Sequence, residues 1–279
     1  MPSVSVVVIT YNEEKNIERC LRSLSWCDDV IVVDSFSSDR TTTLAAPHCS
    51  RIVQHAYDGD ILQRQRGFAL AKHEWLLYVD ADEEVSGELR DEILSVTKSP
   101  DANDGYYLPR KVSILGRWIT NGGWSPDYSF RLFRRSRFVA EAAEVHGGFS
   151  VPGSKGCLRS ELYHYTYPSF EEYLRKMNDY TSLQISNKLA DEISGAAKFV
   201  KILFSPPSHF FRKYIVQRGY NDGMLGFFLA ALGGVYTLAL YTKLWEFAYF
   251  AKTSDTGPPI TNLELHRVKA RYKSASGSS

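Results

Sequence analysis

The feature that most constrains this chain is a repeated one: short, strongly apolar runs that stop abruptly on acidic or hydroxyl residues. VSVVVIT (4–10) leads into YNEE, DVIVVD (29–34) into SFSSD, and WLLYVD (75–80) into ADEE. Runs of this length, rich in Val and Ile and lacking a polar face, suit strands of a parallel sheet covered on both sides. Helical patterns lie between them. Ile17, Leu21 and Leu24 recur at helical spacing within 14–24, SSDRTTTLAA (37–46) opens on cap residues, 62–72 leads into the third run, and SGELRDEILSV (86–96) carries a serine cap. RIVQ (51–54) adds a short strand. Strands alternating with helices predict an α/β fold with a parallel sheet.

In an open parallel sheet, ligands bind beyond the carboxyl ends of the strands. The loops TYNEE (10–14), DSFSSD (34–39) and DADEE (80–84) therefore meet at one edge. A turn able to hold a base and ribose, beside carboxylates able to hold a divalent cation that neutralises a diphosphate, makes a nucleotide-diphosphate site. Alone, Asp80 and Asp82 would read equally well as a solvated cluster capping the next helix. Three acidic loops in order outweigh that reading, whereas Asp39 reads as a helix cap.

The regularity fails after Pro100. Residues 105–165 are rich in Gly, aromatics and short strand-like pieces, which suits a mixed-sheet half that builds an acceptor site. Residues 169–189 read as a helix. Basic and aromatic residues then share KFVKILF and HFFRKYIVQRG, and 224–242 carries no charge at all. The expected organisation is a domain over 1–195 (a nucleotide-sugar half at 1–100, an acceptor half at 101–195), a helical membrane-associating region at 196–254 and a flexible tail at 255–279. Interfacial attachment is favoured over spanning, because Gly226, Gly233 and Gly234 weaken a lone span. The 33 basic and 32 acidic residues balance to a net charge of +1, which argues against a nucleic-acid binder. Cys20, Cys27, Cys49 and Cys157 have no metal or disulfide-scaffold spacing, so reduced thiols in a cytoplasmic setting are expected. The N-terminus reads as a strand and lacks the features of a signal peptide.

VSVVVITYNEE, VIVVDSFSSDRT and WLLYVDADEE resemble the opening, the aspartate-serine loop and the DxD motif of family 2 inverting glycosyltransferases, which have the GT-A fold, a Rossmann-like mixed sheet. Within that family, GGWSPDYSFRLFRR, EVHGG, LYHYTYPSFEEYLRKMNDYT and the aromatic C-terminal region resemble the bacterial lipopolysaccharide-core glucosyltransferases and their envelope-polysaccharide relatives. The resemblance covers roughly residues 2–250. It implies that Thr10, Tyr11 and Glu13 line the nucleoside pocket and that Asp34 accepts a hydrogen bond from the base. Arg64 or Arg66 would approach the diphosphate, the local pattern fitting in two registers. Asp80 would contact the ribose or the metal, Asp82 would ligate Mn²⁺ or Mg²⁺ directly, and His146 could complete the metal shell. Inversion also needs a general base for the acceptor hydroxyl. Many relatives have glutamate directly after the histidine of the VH motif; here Gly147 stands there, leaving Asp127, narrowly favoured, and Glu144. Trp118 and Trp124 offer faces for sugar stacking.

The activity so implied is metal-dependent, inverting transfer of a hexose, glucose being the first guess, from a UDP-sugar to a lipid-linked saccharide such as lipopolysaccharide core. The expected location is the cytoplasmic face of the inner membrane, peripheral or monotopic. Alternatives are a transferase acting on polyprenyl-linked or capsular intermediates, and a catalytically inactive nucleotide-sugar-binding protein, for which Gly147 is the motivating residue. A nucleotidyltransferase would ordinarily want a Gly-rich basic phosphate loop, and TYNEEKN is not one.

Overall fold

The computed structural model describes residues 4–141, 148–188 and 195–253. In chain order the elements are β1 (Val4–Thr10), α1 (Ile17–Arg22), β2 (Asp29–Asp34), α2 (Thr41–Ala45), β3 (Arg51–Gln54), α3 (Asp60–Leu70), β4 (Trp75–Asp80), β5 (Glu83–Val85) and α4 (Gly87–Lys98). There follow β6 (Gly105–Ile114), β7 (Arg117–Ile119), β8 (Asp127–Arg134), β9 (Val139–Glu141), β10 (Gly148–Ser150), β11 (Lys155–Cys157) and β12 (Leu162–Tyr167). The helices α5 (Phe170–Lys188), α6 (Gly195–Phe211) and α7 (Gly223–Thr253) complete the order. The described residues fall into two compact units, 4–113 with 126–166, and 114–125 with 167–253.

The first unit is built on a mixed sheet in the order β3-β2-β1-β4-β8-β6-β12-β5. β1 pairs in parallel with β2 and β4, and β2 with β3, whereas β8 runs antiparallel to β4 and to β6. The parallel half and the less regular mixed half expected from sequence are both present. Every residue of β1, β2 and β4 is buried. The reason is two-sided cover: Val6 and Val8 pack with Leu21, Leu89 and Ile93 on one face, while Val7 and Ile9 pack with Phe68, Tyr78 and Phe133 on the other. Burying one such side chain contributes roughly 1.5–3 kcal/mol. A strand buried on both faces has no polar alternation to show, which is why these three runs are continuously apolar.

Register aligns the strand ends. Thr10 lies opposite Asp34, and Ile9 opposite Asp80, so the loops after β1, β2 and β4 leave the sheet side by side. Helix limits differ from the sequence pattern at two of these loops. After β1 the chain turns at Asn12, whose φ is +53°, and the Glu13 carbonyl accepts the Asn16 and Ile17 N–H groups, so α1 begins only at Ile17. The 37–46 segment is helical only from Thr41; the N-cap position is Arg40, and Asp39, expected as the cap, stands one residue earlier and accepts the Thr41 N–H at 2.9 Å.

In the second unit, α6 and α7 pack closely through glycines of α7. A Cβ on Gly234 would lie 3.0 Å from the Pro206 carbonyl oxygen, and one on Gly226 would meet the Gly219 carbonyl carbon at 2.9 Å. These glycines, read from sequence as weakening a span, are where neighbouring backbone comes close. Lys243 ends the uncharged run, and its Nζ donates to the Asn178 carbonyl, Thr181 Oγ1 and Ser182 Oγ, each at 2.8 Å. Asp222, just before α7, accepts from the Asn121 N–H at 2.9 Å and so ties the 114–125 segment to the helices. By length and composition, Gly219–Glu246 could cross a membrane.

Close approach also governs α3. A Cβ on Gly67 would sit 2.3 Å from Val7 Cγ1 and 3.2 Å from Val7 Cβ, so no Val7 rotamer clears it. Helix propensity alone would make Gly67→Ala stabilising by about 1 kcal/mol; overpacking costs about 1–3 kcal/mol and should prevail. Gly67→Ala should therefore lower the urea midpoint, and adding Val7→Ala should cost less than the sum of the single changes. A Gly67→Ala protein as stable as the parent would contradict this packing.

Candidate active site

The first two loops brace each other. Asn12 Oδ1 accepts the Ser38 N–H at 2.8 Å, and the Ser37 hydroxyl accepts the Asn12 N–H at 2.9 Å. Asp34, fully buried, accepts from the Ser37 N–H at 3.0 Å, from Gln54 Nε2 at 2.9 Å and from the Ser37 hydroxyl. Glu13 is buried, its N–H on Thr41 Oγ1 at 2.7 Å and its carboxylate on Asn16 Nδ2 at 2.7 Å. The Thr10 hydroxyl is buried and has no hydrogen-bond partner among the described residues, and Tyr11 is half-buried. Thr10, Tyr11, Glu13 and Asp34 thus share one pre-formed corner of the sheet edge.

The third loop holds the charge. Asp80 is buried, and both of its oxygens are taken by guanidinium groups: Arg64 Nη2 donates to Oδ1 at 2.7 Å and Arg131 Nη2 to Oδ2 at 2.8 Å. Arg131 Nη2 also reaches Glu83 Oε1 at 2.8 Å, and Glu83 Oε2 accepts the Asp80 N–H at 2.9 Å. Both guanidiniums lie over the Tyr78 ring, 4.9 and 4.7 Å from its centroid. Burial works against the Asp80 charge, but Arg131 and Arg64 hold its carboxyl well below the usual carboxylate range. Glu83 goes the other way: burial, with the neighbouring Asp80 charge, outweighs Arg131 and raises its proton affinity.

Of the two arginines left open by the sequence pattern, Arg64 is on Asp80, and Arg66 pairs with Asp58. The signal was available: Arg64 shares a helix face with Gly67 and Phe68, which pack on the sheet, whereas Arg66 does not. Arg131, Arg134, Arg135 and Arg137, though clustered in sequence, make no common patch. Arg131 is in the carboxylate cluster, Arg134 lies over Trp75, Arg135 donates to the Ala71 carbonyl and Arg137 pairs with Asp104.

Asp82 is 2% exposed. Its Oδ2 lies 3.3 Å from His164 Nε2, while its Oδ1 is buried with no hydrogen-bond partner among the described residues. A hard carboxylate oxygen left open beside an imidazole fits Mn²⁺ or Mg²⁺. Among the described residues, no group of three or more His, Cys, Asp or Glu side chains gathers as a complete cation site. Nothing in the LYHYTY pattern marks His164 as a site residue. It arrives because β12 pairs antiparallel with β5, setting His164 opposite Glu83, a register that no local pattern reveals. Burial disfavours its charge, yet Asp82 and Glu83 raise its proton affinity above the usual histidine value.

Asp127 opens β8 opposite Arg110, which grips its carboxylate through Nε at 3.0 Å and through Nη2. Arg110 Nη1 also lies 3.5 Å from Glu83 Oε1, so Asp127 is one guanidinium away from the acidic cluster. Its side chain is 46% exposed. Glu144 and His146 lie outside the described residues.

Residues 5–142 match glycosyl transferase family 2. The chain belongs to that family, as the resemblance implied, and is a glycosyltransferase with a GT-A type α/β fold. Along most of its length it is similar to the lipopolysaccharide core biosynthesis glycosyltransferase LpsC of Rhizobium meliloti (strain 1021), with 26% identity over 250 residues, 87% of this chain and 92% of that protein. It is 28% identical to an uncharacterized glycosyltransferase of Rickettsia bellii (strain RML369-C) over 237 residues, 80% of each. Among solved structures it is similar to S. aureus TarS 1–349, with a TM-score of 0.43 and 16% identity, covering 99% of this chain and 88% of that one.

The cluster yields a stability test. Removing one partner of a buried ion pair costs about 3–5 kcal/mol, and Arg131→Met should cost that much at pH 7. Because the Asp80 carboxyl is held low, its contribution is complete above an unfolded pKa of about 4 and is lost as pH falls through the folded value. In the variant Glu83 loses its main counter-charge, and taking up a proton relieves it. The gap between variant and parent, read from urea melts, should therefore narrow from pH 7 towards pH 5. A gap that widens, or no gap at all, would refute the assigned role of Arg131.

Proposed function

We propose that the protein transfers a hexose, glucose being the first candidate, from a UDP-sugar to a lipid-linked saccharide such as lipopolysaccharide core, with inversion at the anomeric carbon. The observation that carries this reading is the aligned edge: Thr10 and Asp34 in register beside Asp80, with the open Asp82 oxygen and His164 just beyond. Thr10, Tyr11, Glu13 and Asp34 bind the nucleoside. Asp80 positions Arg64, whose guanidinium faces the diphosphate. Asp82 and His164, with His146, hold the divalent cation. The chemistry supplied by Mn²⁺ or Mg²⁺ held there is neutralisation of the leaving diphosphate's charge. Asp127, oriented by Arg110, accepts the proton of the acceptor hydroxyl, with Glu144 the other candidate base. LpsC, named for lipopolysaccharide core biosynthesis and matched over 92% of its length, supports the acceptor class.

The site reading makes separable demands. Asp82→Asn is nearly isosteric and should abolish transfer with an unchanged melting profile, as should EDTA on the parent. Loss of a general base typically costs about 10²–10⁴ in rate, so Asp127→Asn or Glu144→Gln should show such a drop with UDP affinity retained. Full activity of Asp82→Asn, or of a preparation verified free of metal, would reject the cation site. Two base variants slowed by no more than a few-fold would reject both bases.

Attachment to the cytoplasmic membrane surface is the second part of the proposal. Leu203, Phe204, Phe211, Ile215 and Val216 are exposed on α6 and the π-helical turn that follows it, alongside the exposed Arg212. Basic residues near an anionic leaflet contribute about 1 kcal/mol each, and the apolar side chains add to that in the headgroup region. The protein should sediment with anionic vesicles at low salt and be partly released at high salt. Phe211→Ser with Ile215→Ser should weaken that binding. A full-length chain that stays in the supernatant without detergent would overturn the membrane assignment.

A further inference from the structure

A cavity of about 220 Å³ lies within the helical unit, and none of the donor-site residues lines it. Its walls include Trp124, Tyr167, Tyr173 and Tyr236, and its basic groups are His209 and Lys213; among the described residues no aspartate or glutamate lines it. Tyr167 and Tyr173 lie 4.8 Å apart between ring centroids, and Trp124 meets Tyr167 edge-on at 6.4 Å. Tyr236 accepts a hydrogen bond from Gln184 Nε2 at 2.7 Å, which leaves its own hydroxyl proton to donate. Gly233 shapes the wall, since a Cβ there would lie 2.8 Å from His209 Nε2.

The charges are unbalanced. Burial and the neighbouring Arg212 lower the proton affinity of Lys213, with no carboxylate among the described residues acting on it; its Nζ lies 5.6 Å from the Trp124 ring centroid. His209 is lowered by burial and by the positive charges of Lys213 and Arg212. Half-buried cations without a carboxylate are costly unless an anion shares the space. Flat aromatic walls suit the C–H faces of a sugar, and phenol groups suit its hydroxyls. A bare phosphate would leave those walls unused, and an acyl chain would strand Lys213 and His209. Drug-sized ligand pockets run to roughly 300–1,000 Å³, so this smaller volume suits one ring.

We propose that this cavity binds a single acidic pyranose, a ring carrying a carboxylate or a phosphate. As one ring of the acceptor saccharide it rests on the transferase reading; the binding itself does not. Saturation-transfer NMR on the full-length protein in detergent micelles tests it, with methyl glucuronide and glucose 6-phosphate against methyl glucoside and inorganic phosphate. At least one acidic sugar should bind on the order of tenfold more tightly than the neutral glycoside. Inorganic phosphate at equal concentration should fail to displace it. Lys213→Gln should weaken acidic-sugar binding by a similar factor and leave UDP affinity unchanged. Equal binding of neutral and acidic sugars, no binding of either acid at millimolar concentration, displacement by phosphate alone, or an indifferent Lys213→Gln protein would each overturn the proposal. Should that variant not fold, the ligand series on the parent decides alone. A parent that binds acidic sugar yet transfers no hexose from a UDP-sugar to a lipid-linked saccharide would refute the proposed acceptor and leave the cavity's assignment standing.

Discussion

The edge of the sheet depends on one buried guanidinium. Arg131 reaches Asp80 and Glu83 with the same nitrogen, and without it two carboxylates would sit side by side in a low-dielectric strand end. Such a pair cannot hold its charge alone: one carboxyl would take a proton, and the DxD loop would lose the geometry that its ion pairs impose. Arg64 and Arg110 extend the same solution outward, one towards Asp80 and the other towards Asp127. The positive charge lies on α3, β6 and β8, and the negative charge at the end of β4 and the starts of β5 and β8. Holding the acidic cluster together therefore requires the parallel and antiparallel halves of the sheet to be docked.

What sequence revealed follows from this division. β1, β2 and β4 were legible because two-sided burial leaves a continuous apolar run, and their loops were legible because carboxylates at buried strand ends demand a purpose. The counter-charges were not. Arg131 lay in an arginine-rich stretch whose members turn out to have four unrelated partners, and His164 alternated unremarkably within LYHYTY. Both reach the site through antiparallel registers with partners far along the chain, and such registers are set by tertiary packing, with no turn residue to announce them. Arg64 was half-legible, since helix geometry favours it over Arg66 once the buried face of α3 is known.

The C-terminal glycines carry a similar lesson. In a lone helix Gly226, Gly233 and Gly234 are a weakness of roughly 1 kcal/mol each. Against α6 and the turn before α7 they allow approaches that a side chain would crowd, most severely at Gly226. Composition reports the cost of a glycine, and only the neighbour reports its use.

The order of the sheet has a consequence for synthesis. β5 follows β4 after two residues, yet it pairs with β12 at the far end of the strand order. The DxD stretch meets Arg131 across 51 residues of chain and Tyr165 across 81. A nascent chain that has exposed only its parallel half carries the acidic loop without these partners, and non-local pairing of this kind is slow. The acidic edge is therefore complete only after the ribosome has delivered β12, and an unfinished chain has the corner of Thr10 and Asp34 but not the assembled charge cluster beside it.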